Sequence, residues 1–397
     1  MGQPAPQRDA LLDLIRAWAI THVILFHVLH GLLRFAPAEA VPRLVADYPW
    51  WMNFTWQPLG VDMIFVVSAY LLMRALLSEI ATSGQVDFSR FYIRRVSRII
   101  PLYYIAVLLF ALADGHSAGD TVLALLFVEF LFTGNAVVPV GWSMELMMYV
   151  YLVLPFVALG IMRSKRPLVW LTTAIVISVV IRALPLLGKP EVATTLFTHL
   201  LDRGDIMPEA TALYFAPWFR LTPFLVGILI ATLLHVRPVL MAQLTATNQR
   251  RWALRWIGLG MIGVALFLPV HDARGWLYQV TGPAFWTVYW VSNGTIAAIG
   301  AALLIIAQAG RPLTMNGPLP AISRNIMGIY LFHFPMILIG AIVVFRSDDR
   351  AVLATATVWH VLGIFLIALV LSLGLAALLN RYIERPTQAF LRRKFNA

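Results

Sequence analysis

Apolar residues in this chain come in long unbroken runs and do not alternate with polar ones. Ten such runs lie at approximately 10–33, 59–80, 98–113, 142–162, 167–187, 214–234, 253–270, 286–309, 321–345 and 353–379. A helix rises 1.5 Å per residue, so crossing the ~30 Å hydrocarbon layer takes about 20 residues. Most of the runs reach that length, and 98–113 and 253–270 only approach it. An eleventh run, 120–134, is too short to cross and reads as a re-entrant or interfacial segment. The expected fold is an all-α polytopic membrane protein with about ten transmembrane helices. Pro and Gly fall at span ends, and no internal repeat is visible. The polar stretches 34–57 and 188–213 are too short for a second folded domain, so residues 1–397 read as one membrane domain.

Composition agrees: 60% of the 397 residues are hydrophobic and 12% are charged, against about 45–50% and about 25% in soluble domains. A soluble enzyme and a disordered tail are excluded. The absence of Cys removes disulfides, thiolate metal sites and thiol nucleophiles. The net charge of +11 would suggest nucleic acid in a soluble protein, but here the basic residues flank the spans and suit topology and lipid headgroups. With 120–134 kept from crossing, 19 of the 30 Lys and Arg fall on the side of the N-terminus, 81–97, 163–166, 235–252, 310–320 and the C-terminal tail. Nine fall on the other side, and Arg16 and Arg74 lie inside spans. The positive-inside rule then puts both termini in the cytoplasm. The first run is a span and not a cleavable signal, because it holds Asp13, Arg16 and three His and lacks a small-residue cleavage site.

Ionisable side chains at bilayer depth cost at least ~2.5–3.5 kcal/mol unless they face a cavity or a partner, so they are candidates for function. In the first span these are Arg16, His22, His27 and His30. Arg16 and His27 are eleven residues apart, close to three turns, which places them on one face and about 16 Å apart along the axis. Asp62 and Glu145 begin their spans at a depth similar to that of His27. A carboxylate beside an imidazole orients it and raises its basicity for general-base work. Equally, both carboxylates could simply favour the positive ends of their helices, and a membrane His could make an interhelical hydrogen bond. His333, in Tyr330-Leu331-Phe332-His333-Phe334-Pro335, could complete the same cavity or serve packing. No Asp/Glu metal spacing, phosphate-binding Gly loop or Gly-x-Ser-x-Gly elbow is present, and no metal is expected.

A second, basic layer starts the third span: Arg90-Phe91-Tyr92-Ile93-Arg94-Arg95-Val96-Ser97-Arg98 sets four Arg at helical spacing with aromatics between them. Guanidinium forks bind phosphate, and an aromatic such as Tyr92 can stack a purine. The same composition also suits a belt that binds lipid headgroups.

Read in order, these segments resemble the membrane acyltransferase 3 family, O-acetylases of lipopolysaccharide, peptidoglycan and other glycans. Arg16-x10-His27 is similar to the family's first-helix signature. Gly60-Val61-Asp62-Met63-Ile64-Phe65 through Leu71 resembles its second-helix motif, with Ala69 where Gly is usual. Phe91-Tyr92-Ile93-Arg94-Arg95-Val96-Ser97-Arg98 resembles its Arg-rich motif. Trp142-Ser143 with Tyr151–Pro155, the Tyr330–Pro335 stretch and Ile383-Glu384-Arg385-Pro386 follow in the family's order. One departure is clear: the family's acidic residue five or six positions after the Trp is replaced by Met147 and Met148, and Glu145 lies at three, on another face.

The resemblance implies a multi-pass protein of the bacterial inner membrane. It also implies an acyl-CoA co-substrate, acetyl-CoA or succinyl-CoA, and a hydroxyl acceptor on an extracytoplasmic glycan or glycolipid. Arg90, Arg94, Arg95 and Arg98 would hold CoA phosphates, and Arg16 would line the path of the thioester. His27 would act as general base or transient acyl carrier, with Asp62 or Glu145 orienting it. Arg34 or Arg220 could receive the second carboxylate of a succinyl group. Many members fuse a soluble esterase-like domain after the last span. These residues end at Ala397, so a stand-alone membrane domain is expected. The rival class is a secondary transporter or flippase, whose pathways also carry polar residues at depth, although such folds often show paired repeats.

Overall fold

The computed structural model describes residues 9–35, 59–134, 136–188, 192, 213–267, 276–311, 317–347 and 349–395. Most of the two polar stretches 34–57 and 188–213, and the Arg34 side chain, lie outside these. The described residues form helices and no strands: α1 (Ala10–Phe35), α2 (Leu59–Ser83), α3 (Phe88–Asp114), α4 (Ala118–Leu125), α5 (Glu129–Thr133), α6 (Gly141–Arg163), α7 (Pro167–Gly188), α8 (Thr222–Val236), α9 (Pro238–Leu244), α10 (Asn248–Phe267), α11 (Trp276–Gln308), α12 (Pro318–Arg324), α13 (Ile326–Phe345), α14 (Val358–Leu379) and α15 (Arg385–Lys394). A π turn, Asn380–Glu384, joins the last two.

Among the described residues, eight helices are long and apolar enough to cross a membrane, or nine if α8 and α9, bent by 100° at Arg237, are one broken span. The protein is therefore an integral multi-pass membrane protein. The sequence pattern predicts ten, and the difference has local causes. The run 253–270 is carried by α10, which is long enough but holds Arg250, Arg251 and Arg255 in its first eight residues. The run 214–234 is shortened at its start by a 3-10 turn, Pro217–Phe219. The marginal run 98–113, by contrast, is lengthened. Asp87 accepts the Arg90 amide at 2.9 Å and starts α3 ten residues earlier, so the arginines and the apolar run share one helix of 27 residues. The segment 120–134 forms α4 and α5, rising only about 12 Å and about 8 Å. Phe127, in the left-handed region at φ 59°, separates them.

The helices group into two compact units. The first contains residues 1–74, 165–320 and 349–358, the second 75–164, 321–348 and 359–397. In the first, α10 packs along α11, while α8 packs on α7 and α11. The rings of Phe65 (α2) and Phe224 (α8) stack at 4.3 Å. α8 approaches α2 so closely that a Cβ on Gly227 would collide with the Val66 carbonyl oxygen and stand 2.9 Å from the Ala69 Cβ. Small residues permit such approach where lipid supplies no hydrophobic drive between helices. In the second unit, α3 packs against α13, α15 and the π turn, α4 packs on α3, and α5 packs on α6.

Gly227→Ala should therefore destabilise the protein by about 1–3 kcal/mol through overpacking. Gly260→Ala, whose added Cβ meets nothing within 4 Å, should not. Thermal unfolding in detergent compares the two, and equal Tm values would remove the assigned contact.

Candidate functional site

The long α1 carries Arg16 and His27 on one continuous helix, as their spacing requires. Arg16 is partly exposed, and its Nη1 lies 3.9 Å from Asp13 Oδ1. His22 is buried and stacks on Trp18 at 5.1 Å. His27 is buried with the Phe26 ring edge-on at 5.1 Å, and His30 stacks on the same ring at 6.1 Å. Phe26 in turn stacks on Tyr214 at 6.3 Å, and the Arg220 guanidinium lies 5.4 Å from the Tyr214 ring centre.

Arg220 ends this aromatic chain at Asp62. Its Nη2 is 2.8 Å from Asp62 Oδ1, and the two side chains are only 3% and 2% exposed. Asp62 thus takes its ion pair from Arg220. The 3-10 turn before α8 delivers Arg220, and Arg182 of α7 holds that turn by donating from Nη1 to the Phe219 carbonyl at 2.9 Å. Gly294 of α11 leaves room for the carboxylate, since a Cβ there would stand 2.9 Å from Asp62 Oδ2.

The second unit contains the other candidates. Glu145, one turn into α6, accepts the Phe130 amide at 3.1 and 3.3 Å on its two oxygens and the Tyr149 hydroxyl at 3.2 Å. The Phe130 amide is one that the first turn of a helix cannot satisfy within itself, so Glu145 caps α5. Glu129 is buried, and both its oxygens accept the Val137 amide at 2.9 Å. Burial is the main reason that its carboxyl is pushed up to about 7, and the nearby Glu145 charge adds to the rise. His333 is fully buried, with Nδ1 2.7 Å from the Tyr330 carbonyl oxygen. A carbonyl can only accept, so the proton is on Nδ1. Tyr330 itself meets Ser143 at 2.8 Å, and because Ser143 donates to the Val140 carbonyl, the tyrosine is the donor.

On α3, Arg94 and Arg95 are half-buried, and the Nε of each has no hydrogen-bond acceptor. Arg90 acts electrostatically on Arg94, and Arg98 on Arg95. The Tyr92 hydroxyl donates to the Leu152 carbonyl of α6 at 2.8 Å, and its ring sits edge-on to Phe91 at 5.4 Å. Among the described residues, no three His, Asp or Glu come together as a metal ion would need.

The sequence model of the acyltransferase 3 family, described as an acyltransferase domain, matches residues 9–381. The chain belongs to this family. Among curated proteins it is 24% identical to the O-acetyltransferase OatA of Staphylococcus aureus, across 94% of this chain and 56% of that protein. It is 22% identical to the putative peptidoglycan O-acetyltransferase YrhL of Bacillus subtilis, across 96% of this chain and 55% of that protein. A stretch of 67 residues is 33% identical to the peptidoglycan O-acetyltransferase OatA of Listeria monocytogenes. The chain thus spans a little over half the length of the first two relatives. No solved structure matches it.

The family match takes in Arg16, His27, Asp62, the α3 arginines, Glu145 and His333. Sequence reasoning did not pair Arg220 with Asp62, and it did not single out Glu129. The signal for the first was available: a carboxylate at span depth requires a cation, and Arg220 lies within the apolar run 214–234. Glu129 had the same signal in reverse, as an acid in the middle of the apolar stretch 122–132.

Two outcomes test this geometry. Asp62→Ala strands a buried guanidinium and should cost about 3–5 kcal/mol, read as a large fall in detergent Tm, whereas Glu145→Gln should cost less because the amide oxygen still accepts the Phe130 N–H. The raised Glu129 carboxyl binds its proton more tightly in the folded state. Its stabilising contribution is therefore complete below about pH 4.5 and lost as pH rises through about 7. Tm should fall between those values, and Glu129→Gln should flatten the slope; an unchanged slope would remove Glu129 as its source.

Proposed function

We propose that this chain is a membrane O-acyltransferase that moves an acetyl group from cytoplasmic acyl-CoA to a hydroxyl of an extracytoplasmic glycan or glycolipid. The observation that carries this reading is the family match over residues 9–381, which takes in a buried His27 on the same helix as Arg16. Acetyl is favoured over succinyl because the relatives' names specify O-acetyltransferases, and two of those names specify peptidoglycan as the acceptor. A cell-envelope glycan is accordingly the acceptor class proposed, with the bacterial inner membrane as the location.

In this reading His27 is the general base. Its imidazole takes the proton from the acceptor hydroxyl as that oxygen attacks the thioester carbonyl carbon. The carbon–sulfur bond then breaks, and the imidazolium returns the proton to the leaving thiolate. Burial of His27 beside Phe26 excludes water that would otherwise hydrolyse the thioester. Asp62 acts at one remove: it fixes Arg220, Arg220 fixes Tyr214, and the aromatic stack fixes the ring beside His27. Arg16 lies about 16 Å away along α1, where it lines the approach of the donor. Arg90, Arg94, Arg95 and Arg98 bind the donor's phosphates, which suits the unsatisfied Nε groups of the middle two.

His27→Ala should lower transfer of radiolabelled acetyl to envelope glycan by about 10²–10⁴-fold, the usual contribution of a positioned acid–base group, with detergent Tm little changed. Near-normal acetylation by this variant would overturn the assignment.

A further inference from the structure

We propose that α15 forms a second wall of the donor-phosphate site, with Arg392 as a phosphate ligand facing the arginines of α3. The proposal rests on the reading of α3 as the donor site. It concerns Arg392, which lies beyond the family match over residues 9–381 and beyond the Ile383–Pro386 motif.

α15 packs on α3 and on the π turn. The charge of Arg392 acts on both Arg94 and Arg95. Arg392 thus adds a further guanidinium to the like charge that Arg94 and Arg98 already exert on Arg95, a repulsion that a bound anion would relieve. Glu79 and Asp87 act favourably on Arg94, but among the described residues no carboxylate acts in this way on Arg95. Glu79 accepts the Asp87 amide at 3.0 Å, and Asp87 accepts the Arg90 amide at 2.9 Å. Glu384 is held between Asn380 at 3.0 Å and Gln388 at 2.9 Å.

Apolar burial does not explain the position of α15 either. None of its residues is buried, and Phe390 is 61% exposed. Basic residues in a last helical turn complement the helix dipole, which accounts for Arg392, Arg393 and Lys394 on α15 but not for its docking beside α3. The π turn supplies that docking. It closes with the Arg385 amide on the Asn380 carbonyl, inserting one residue relative to a continued α-helix and re-aiming the face that follows. What remains at the junction of α3 and α15 is a set of forks with the buried, unsatisfied Nε donors of Arg94 and Arg95 among them. Several clustered guanidinium groups on two helices match a ligand with several phosphates spread along it, as coenzyme A has, better than a single phosphate.

The test measures binding of coenzyme A to the full chain in zwitterionic nanodiscs, for the parent, Arg392→Ala, Arg95→Ala and the double variant, with Arg250→Ala as a basic control in the other unit. Arg392→Ala and Arg95→Ala should each raise Kd by about tenfold or more, the scale of one charge-assisted hydrogen bond. The control should leave Kd unchanged, and Arg392→Lys should restore part of the loss. If Arg95→Ala weakens binding and Arg392→Ala does not, α15 is no part of the site and the α3 reading survives. If neither variant changes coenzyme A binding, but both reduce association with vesicles rich in phosphatidylglycerol, the arginines bind lipid headgroups and both the proposal and the α3 reading fall.

Discussion

Taking a carboxylate out of water into a helix bundle costs several kcal/mol unless a cation goes with it, and the way Asp62 meets that cost shapes the first unit. Arg220 comes to 2.8 Å from it at a position where both side chains are almost wholly enclosed. Such a pair adds little net stability over an apolar one of similar volume, but it is demanding about position. The 3-10 turn Pro217–Phe219 must end beside α2, Arg182 must hold that turn through the Phe219 carbonyl, and α11 must offer a residue without a side chain at Gly294. Tyr214 then lies near the Arg220 guanidinium and Phe26 near Tyr214, so the ring against His27 is set by a charge pair two residues removed from it.

The second unit treats its charges in two opposite ways. Glu145 and Glu129 are engaged by backbone amides of a segment too short to cross the membrane. Their oxygens satisfy donors that the five-residue α5 and the chain after it would leave open, which is a structural use of a carboxylate. The arginines of α3 are not so provided for. Arg94 and Arg95 keep Nε donors without acceptors, and Arg95 lies under the like charge of Arg94, Arg98 and Arg392.

Much of this architecture is legible in the residue order. Hydrophobic run length identifies the spans because the bilayer has a fixed thickness and the helix a fixed rise. Disagreement arises where local chemistry changes a helix end. Asp87 extends α3 over the arginines, three arginines burden the start of α10, and Gly282, at φ 72°, interrupts the long α11. Of the chemistry, Arg16 and His27 are readable because they share one helix, where spacing gives both depth and face.

The carboxylates behave otherwise. Asp62 and Glu145 start their spans in the same way and look interchangeable as partners for an imidazole, yet one is bound to Arg220 and the other caps α5. Spacing along one helix fixes depth and direction, so it suffices for residue types, span positions and the alignment of Arg16 with His27. Which charge meets which depends on helices packing across tens to hundreds of residues of chain. Any cation of suitable depth could answer Asp62, and the close approach of α8 to α2 at Gly227 is what makes Arg220 the one that does.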